Sequence, residues 1–414
     1  MKQVWILNHY AAKPGSVGGT RHFHLATHLR ASGWNGTVIA ASVGQNGREH
    51  YDCSTKSYGY ESDHGVPFLW IKTPRYSGNS WKRIANILSY TGRVFLARNT
   101  KHLPKPDIIV GSSVHPFAAL SAALLARRHG VPFIFEVRDL WPQTLIEFGR
   151  LPESGFVTSA FRYLERWLYQ KADRIITLLP RAVDYIAPLG IEPSKVTWLP
   201  NGVDLESFPD PGANLRKDGV FTLMYFGAHG QANGLLELIH AMALVKERTD
   251  ISAIRLRMIG DGPLKSMLND MAIESGLTDR WISFEDPVSK DRIPTIASEA
   301  DAFVIPVRDL PGLYKYGISM NKIFDYLAGR RPIIIATDSI NNPVDEAECG
   351  ITIPPGDPEA LAQAILSVAN MPLEQRNELG ARGRRHVETK YGYDRLADQL
   401  AQLLDESVSQ TRTF

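Results

Sequence analysis

The stretch Asp107-Ile108-Ile109-Val110-Gly111-Ser112-Ser113-Val114-His115-Pro116, continued to Pro142, decides the fold. A β-type apolar run over 107–111 ends in small polar residues. Pro116 then opens a helical stretch whose residues 117–126 are almost all apolar, and a second β run follows at 132–136. Strand, helix and strand in that order make a βαβ unit with parallel strands. Working outward, 4–7, 37–41, 174–178 and 196–199 read as further strands of the same half. A second series runs through 221–226, 254–259, 281–284, 302–305, 332–336 and 351–353, again separated by helical patterns. Two doubly wound α/β domains are predicted, 1–208 and 209–390. The break falls in the Pro/Gly/Asp-rich segment Phe208-Pro209-Asp210-Pro211-Gly212-Ala213-Asn214. The tail 391–414 reads as a C-terminal helix with apolar positions Leu396, Ala397, Leu400, Leu403 and Leu404; it is free to return to the first domain or to bind another subunit. Ligands are expected between the domains, at the carboxyl ends of the strands.

Length and composition agree with this plan. At roughly 150 residues per domain, 414 residues suggest two or three domains. Hydrophobic residues at 44% and charged residues at 22% exclude a disordered or coiled-coil chain. Forty-six Lys+Arg against 44 Asp+Glu leave a net charge of +2, so nothing chain-wide points to nucleic acid. Cys53 and Cys349 form no CxxC or metal-ligand spacing, which predicts a reduced, cytoplasmic protein. The apolar run 117–126 is about half of what a membrane span needs, so a soluble or peripherally attached protein is expected.

Several strand ends carry residues suited to chemistry. After the first strand, Gly15, Gly18 and Gly19 precede Arg21, where a helix N-terminus favours an anion or a sugar hydroxyl. The spacing is not GxGxxG, which disfavours a nicotinamide enzyme; a tight βα turn with no ligand is the plainer alternative. His115 can bond a substrate hydroxyl or a phosphate, or serve only the turn. The adjacent strand ends in Glu136-Val137-Arg138-Asp139-Leu140-Trp141-Pro142. Arg138 and Asp139 either line a cleft or pair internally. In the second half, the loop holding Gly227, Gly230, Asn233 and Gly234 can offer backbone N–H groups to a diphosphate, and Gly260-Asp261-Gly262-Pro263 ends a strand on the same edge. Ser319, Asn321, Lys322 and Asp325 open a further helix. Lys322 can neutralise phosphate and Asp325 can bond a ribose diol, unless the two simply pair on a solvated helix face.

The order of these segments, with Pro200-Asn201-Gly202-Val203-Asp204 between them, resembles family 4 glycosyltransferases over nearly the whole chain. The run 136–142 is most similar to bacterial surface-polysaccharide transferases of the WbuB type. The resemblance implies a GT-B fold of two Rossmann-like domains facing across a central cleft. It also implies transfer from a nucleoside diphosphate sugar, UDP in the first instance, with retention of configuration. The acceptor it implies is an undecaprenyl-diphosphate-linked glycan of O-antigen or capsule synthesis. It places Gly19, His115 and Asp139 at the reacting centre. Gly18, Arg21, Gly227, Gly230, Asn233, Gly260, Arg308, Ser319, Asn321, Lys322 and Asp325 fall around the donor, and Arg138 and Trp141 near the acceptor. Asp325 stands at the second of two glutamates that the family spaces eight positions apart, and Gly317 replaces the first. Ala228 and Asn233 occupy the region of the family's usual Arg and Lys, so Lys322, then Arg308 and Arg21, are the candidates to restore positive charge. With no Asp-x-Asp motif, a metal-independent reaction without a cofactor is expected. The rival readings are a catalytically silent GT-B partner of an assembly complex and a sugar-nucleotide 2-epimerase.

Residues 81–101 contain Lys82, Arg83, Arg93, Arg98 and Lys101 but no acidic residue, in a helical pattern with Trp81, Tyr90 and Phe95. Such a helix suits an anionic inner-membrane surface, with the enzyme on its cytoplasmic face. An ordinary amphipathic helix packed on the sheet is the alternative.

Overall fold

The structure is a computed structural model. It describes every residue except 17, 46, 54–55, 79–80, 214–218, 249–253, 278–279 and 412–414, and the side chains of Ala97 and Thr411. The chain divides into two compact units, Met1–Pro200 joined by Tyr393–Phe414, and Asn201–Gly392.

The first unit is built on eight strands: β1 (Lys2–Leu7), β2 (Trp34–Ala41), β3 (Tyr58–Asp63), β4 (Val66–Ile71), β5 (Ile108–Ser113), β6 (Phe133–Val137), β7 (Arg174–Thr177) and β8 (Val196–Trp198). Their order is β3-β4-β2-β1-β5-β6-β7-β8, parallel except for β3, which pairs antiparallel with β4. The β3–β4 hairpin lies outside the predicted strands. Its turn, His64-Gly65, holds both residues at positive φ, 46° and 80°, as a two-residue hairpin requires. The central strands are mainly apolar and almost wholly buried because helices cover both faces. The helix Pro116–His129 packs against β5 through Ala119 and Ala122 so closely that a Cβ on Gly111 would lie 2.5 Å from the Ala122 Cβ. Small residues on both sides let the helix approach, and that approach fixes where His115, at its N-cap, must sit.

The second unit carries β9 (Phe221–Phe226), β10 (Ile254–Ile259), β11 (Ile282–Glu285), β12 (Ala302–Pro306), β13 (Ile333–Ala336) and β14 (Gly350–Ile353), all parallel in the order β11-β10-β9-β12-β13-β14. In both sheets the order reverses beside one strand, β1 in the first and β9 in the second. The carboxyl ends there are where doubly wound sheets bind ligands.

The unit boundaries depart from those expected. The chain enters the second unit at Asn201, not after Phe208, because Val203 and Phe208 are buried with Phe226 and Phe324 in that unit's core. The Val203 N–H also donates to the Tyr391 carbonyl. The final helix, Tyr393–Thr411, buries Leu396, Ala397, Leu400, Leu403 and Leu404 in the first unit's core beside Trp34 and Phe23. Trp34 Nε1 donates to Asp405, which also pairs with Lys2. Among the described residues no helix is long and apolar enough to cross a membrane.

Candidate functional site

At the switch point of the first sheet, β1 ends in Asn8-His9-Tyr10 and β5 runs into His115. His115 Nε2 lies 2.8 Å from His9 Nδ1, and His9 Nε2 lies 2.7 Å from Asn86 Oδ1. The Asn86 side chain is held in turn by donation from Nδ2 to the Pro74 carbonyl. All three residues are buried. Burial, with Arg83 nearby, lowers His115 to about 3 and takes His9 well below its ordinary value, so both rings are neutral. His115 Nδ1 has no partner among the described residues. The reading of the sequence singled out His115 but passed over His9 and Asn86. The signal was present in the polar Asn8-His9 that ends the first strand.

Next to this cluster, Glu136 at the end of β6 is buried and accepts from Arg21 Nε at 2.9 Å and from His22 Nε2 at 2.7 Å. Arg21 also donates to the carbonyls of Pro200 and Leu199. Against the opposing effect of burial, His22 and then Arg21 hold the Glu136 carboxyl well below the usual range. Arg21 therefore does not supply free positive charge to a donor: its guanidinium is consumed in bracing β6 against β8 and the segment that follows it. Gly18 is likewise constrained by packing, with φ 152° and the Ala12 Cβ 3.0 Å from where its own Cβ would be. Gly19 is open, and a Cβ there would lie 4.0 Å from Arg138 Nη2. The Arg138 guanidinium makes no hydrogen bond or close ion pair among the described residues, though its charge acts on neighbouring Asp139 against the rise that desolvation causes there. Trp141 is half-buried against Phe161, ring centroids 5.7 Å apart.

In the second unit the loop after β9 folds onto the loop after β10. Gly227 N–H donates to the Ile259 carbonyl and His229 N–H to that of Asp261. A Cβ on Gly260, φ 150°, would stand 2.0 Å from the Gly227 carbonyl oxygen, so only glycine fits. Lys322, half-buried, reaches into this loop from the helix Asn321–Ala328. Its Nζ bonds Tyr225 Oη at 2.8 Å and Asn233 Oδ1 at 2.6 Å, and lies 4.4 Å from the Tyr225 ring centre. Those two bonds leave one N–H of the ammonium. No carboxylate pairs with it among the described residues, and burial lowers it to about 7. Asn233 thus acts as a partner of Lys322 and, through Nδ2, as a clasp on the Ala228 carbonyl. Gly230 is open beside it. Arg308 is exposed on the segment whose backbone N–H bonds the Ala232 carbonyl.

Three of the positions singled out here already have partners. Lys322 and Asp325 do not pair along the helix. Both carboxylate oxygens of buried Asp325 instead meet Lys290 Nζ, so its capacity to receive a diol is already shared with a cation. Burial raises the Asp325 carboxyl, with Lys290 opposing the rise. Ser319 is committed to the backbone: its Oγ accepts from the Asn201 N–H, and its carbonyl accepts from Asn201 Nδ2. With Asn341 bonding both the N–H and the carbonyl of Ile318, the turn after Gly317 is pinned from two sides. It delivers exposed Asn321 at the start of a helix whose N-terminus has no side-chain cap. Sequence reading also missed His229, fully buried in the glycine loop with neither ring nitrogen partnered among the described residues. Burial and the nearby Lys265 and Lys322 lower it to about 4.

Residues 18–202 match the family described as glycosyl transferase 4-like domain, and residues 220–371 match glycosyl transferases group 1. The chain carries two glycosyltransferase domains. Over 356 residues this glycosyltransferase is 22% identical to the probable glycosyltransferase WbjE of Pseudomonas aeruginosa, covering 81% of this chain and 85% of that one. It is 25% identical over 292 residues to the 2-deoxystreptamine glucosyltransferase of Streptomyces kanamyceticus, covering 67% and 71%. Among solved structures it resembles sucrose-phosphate synthase of Thermosynechococcus elongatus, with a TM-score of 0.74, 18% identity and coverage of 98% and 99%. It also resembles WaaG, a glycosyltransferase involved in lipopolysaccharide biosynthesis, with a TM-score of 0.65, 16% identity and coverage of 97% and 99%. HepE of Anabaena in complex with UDP and glucose matches with a TM-score of 0.66 at 15% identity, covering 98% and 99%. The glycosyltransferase thus has a GT-B-like fold of two parallel-sheet α/β domains.

The basic segment of this glycosyltransferase is not one helix over 81–101. It is Trp81–Val94, then a break at Phe95-Leu96, then a short turn of helix at Ala97–Thr100. The longer helix turns its polar Asn86 and Tyr90 inward and leaves Trp81, Ile84 and Leu88 exposed at 72%, 61% and 52%. Arg93 is not a free surface charge, since its Nη1 donates to the Lys72 carbonyl.

Proposed function

We propose that the protein is a retaining, metal-independent glycosyltransferase of the WbuB type. It moves a hexosyl or N-acetylhexosaminyl group from a UDP-sugar to an undecaprenyl-diphosphate-linked glycan. The product enters O-antigen or capsule synthesis at the cytoplasmic face of the inner membrane. One observation carries the donor assignment. Lys322, an ammonium with an unused N–H and no carboxylate partner among the described residues, stands at an uncapped helix N-terminus beside the glycines at the β9 switch point. A diphosphate supplies the charge and the acceptor oxygens that this arrangement lacks. Lys322, the helix N-terminus and exposed Arg308 then take the part that a divalent cation plays in other transferases, stabilising the departing diphosphate. The leaving phosphate can itself take the acceptor hydroxyl's proton on the same face, so retention needs no protein nucleophile. HepE, of the same fold, is known in complex with UDP and glucose, and WaaG, of the same fold, is involved in lipopolysaccharide biosynthesis, which supports the surface-glycan setting.

The membrane role rests on the exposed row Trp81, Ile84 and Leu88 with Lys82 beside it. A second helix, Phe156–Lys171, exposes Phe156, Val157 and Tyr163, and both helices pack against Pro116–His129. Apolar side chains beside a cation suit the interface of an anionic bilayer. Calorimetric titration with UDP, GDP, ADP and dTDP, each with and without EDTA, tests the donor site. Selective UDP binding unaffected by EDTA is expected, and no binding by any of the four overturns the reading. Gly317, in place of the glutamate of the resemblance, keeps the silent-partner reading in play: UDP binding with no turnover on any lipid-linked acceptor favours it.

A further inference from the structure

We propose that Asn86 and His9 are positioning residues that hold His115 as its Nε2–H tautomer, so that it offers only a lone pair, at Nδ1, to a hydroxyl of the bound sugar or acceptor. The inference rests on the transferase reading for the identity of the hydroxyl, but not for the tautomer. One chain of bonds sets the tautomers. Asn86 Nδ2 donates to the Pro74 carbonyl at 2.8 Å, a carbonyl that can only accept, and this fixes the amide with Oδ1 toward His9. Oδ1 can only accept, so His9 Nε2, at 2.7 Å, carries the hydrogen. A neutral His9 then has a bare Nδ1. The His115 Nε2 that sits 2.8 Å from it is therefore the donor, and His115 Nδ1 is left unprotonated.

The surroundings keep both rings neutral. His9 is enclosed by the rings of Tyr10 and Tyr90, with centroids 4.3 and 4.5 Å away, and His115 meets the edge of Tyr10 at 5.9 Å. Burial is the main cause of the lowering in both; Arg83 also opposes a positive charge on each, while the ring's approach to its own backbone carbonyl works the other way on His115. The N-terminus of the helix Pro116–His129, which His115 caps without a side-chain bond, opposes the positive charge as well. A bare, buried nitrogen with no partner among the described residues is a polar atom awaiting a donor. It can accept from an alcohol, and it cannot donate to a phosphate or carboxylate oxygen. That decides between the two roles the sequence left open for His115 in favour of the hydroxyl.

The test is a long-range proton–nitrogen correlation spectrum of the full chain with 15N-labelled histidine at neutral pH, His9 and His115 being assigned from His9→Gln and His115→Gln. Both rings are expected to show a protonated Nε2 and a bare Nδ1. A His115 protonated at Nδ1, or on both nitrogens, overturns the proposal, and this wild-type result stands even if a variant fails to fold. In Asn86→Leu the single-tautomer signature at His115 should be lost while UDP affinity is kept, and Asn86→Asp, which restores an acceptor toward His9, should bring the signature back. A spectrum unchanged in Asn86→Leu removes Asn86 from the role. Absence of UDP binding would sink the transferase reading and leave the spectrum as it is, so the two failures are told apart.

Discussion

If the proposed donor site is right, Lys322 should make UDP binding a proton-uptake reaction. In the free protein burial lowers its ammonium to about 7, so at pH 8 only about a tenth of it is charged. A diphosphate beside it favours the charged form and returns its pKa toward the ordinary lysine range. The sign follows: a group whose pKa is depressed in the free protein and restored by the ligand takes up a proton above its free-state pKa, and the affinity falls as pH rises through that value. Uptake should be about 0.9 proton at pH 8 and about 0.1 at pH 6, and UDP should bind about tenfold, or about 1.4 kcal/mol, more weakly at pH 8. The assay is calorimetry of UDP binding in buffers of different ionisation enthalpy, whose slope counts protons. Lys322→Met keeps the length of the side chain and removes the titration. It should abolish the uptake at pH 8 and cost about 1.5–3 kcal/mol of affinity at pH 6, the range of a lost charged hydrogen bond. At pH 8 its cost should be smaller by about 1.4 kcal/mol, since the wild type there first has to gain its proton. The phosphate's own titration is common to both proteins and cancels in the difference. Equal uptake by wild type and variant at pH 8, or a ratio of dissociation constants that does not change between pH 6 and pH 8, would show that Lys322 takes up no proton when UDP binds.

Other consequences can be measured separately. Arg21→Met strips the buried Glu136 of its cation and should destabilise the protein by about 3–5 kcal/mol, seen as a lower thermal midpoint; a loss of UDP affinity at an unchanged midpoint would return Arg21 to the donor site. Gly260→Ala drives a Cβ into the Gly227 carbonyl, so UDP affinity should fall sharply while sedimentation with vesicles is untouched; normal affinity would show that this loop does not shape the site. Replacing Trp81, Ile84 and Leu88 with serine and Lys82 with glutamate should reduce co-sedimentation with phosphatidylglycerol vesicles without shifting the thermal midpoint, because all four side chains are exposed; undiminished sedimentation would make the row an ordinary surface.

Much of the fold was legible because parallel strands buried on both faces leave mainly apolar runs, as in β5 and β9, whose six residues are all buried although β5 ends in two serines and β9 contains Thr222. The β3–β4 hairpin was not. Its outer strand, Tyr58–Asp63, is half polar and its turn uses histidine, not asparagine or aspartate, ahead of glycine, so neither the run nor the turn announces itself. The unit boundary was misplaced for a related reason. Prolines and glycines mark where a chain can bend, but Val203 and Phe208, which lie before the Pro/Gly-rich segment, are held by packing against residues more than a hundred positions away, and local composition does not record that.

The site was harder to read because a cation in a sequence does not say whether it is already paired. Arg21, Lys322, Lys290 and Arg138 all stand near strand or helix ends, and the sequence ranks them only by position. The structure divides them by partner. Arg21 is committed to Glu136 and two carbonyls, and Lys290 to Asp325. Lys322 is held only by neutral oxygens, and Arg138 is held by none of the described side chains. A buried paired cation gains little from an anionic ligand, since the ligand must compete with a carboxylate already in place, whereas a cation held by a phenol and an amide gains the full charge-assisted bond. The same logic applies to the neutral groups. His115 is distinguished from the other histidines near it not by its position in the sequence but by an unpartnered nitrogen, left over after Asn86 and His9 have fixed the rest of the chain of bonds. The spare bonding capacity of Lys322 and of His115 lies next to the strand where each sheet's order reverses, which is why these two, and not Arg21, Ser319 or Asp325, are the residues whose substitution should be felt first by a ligand.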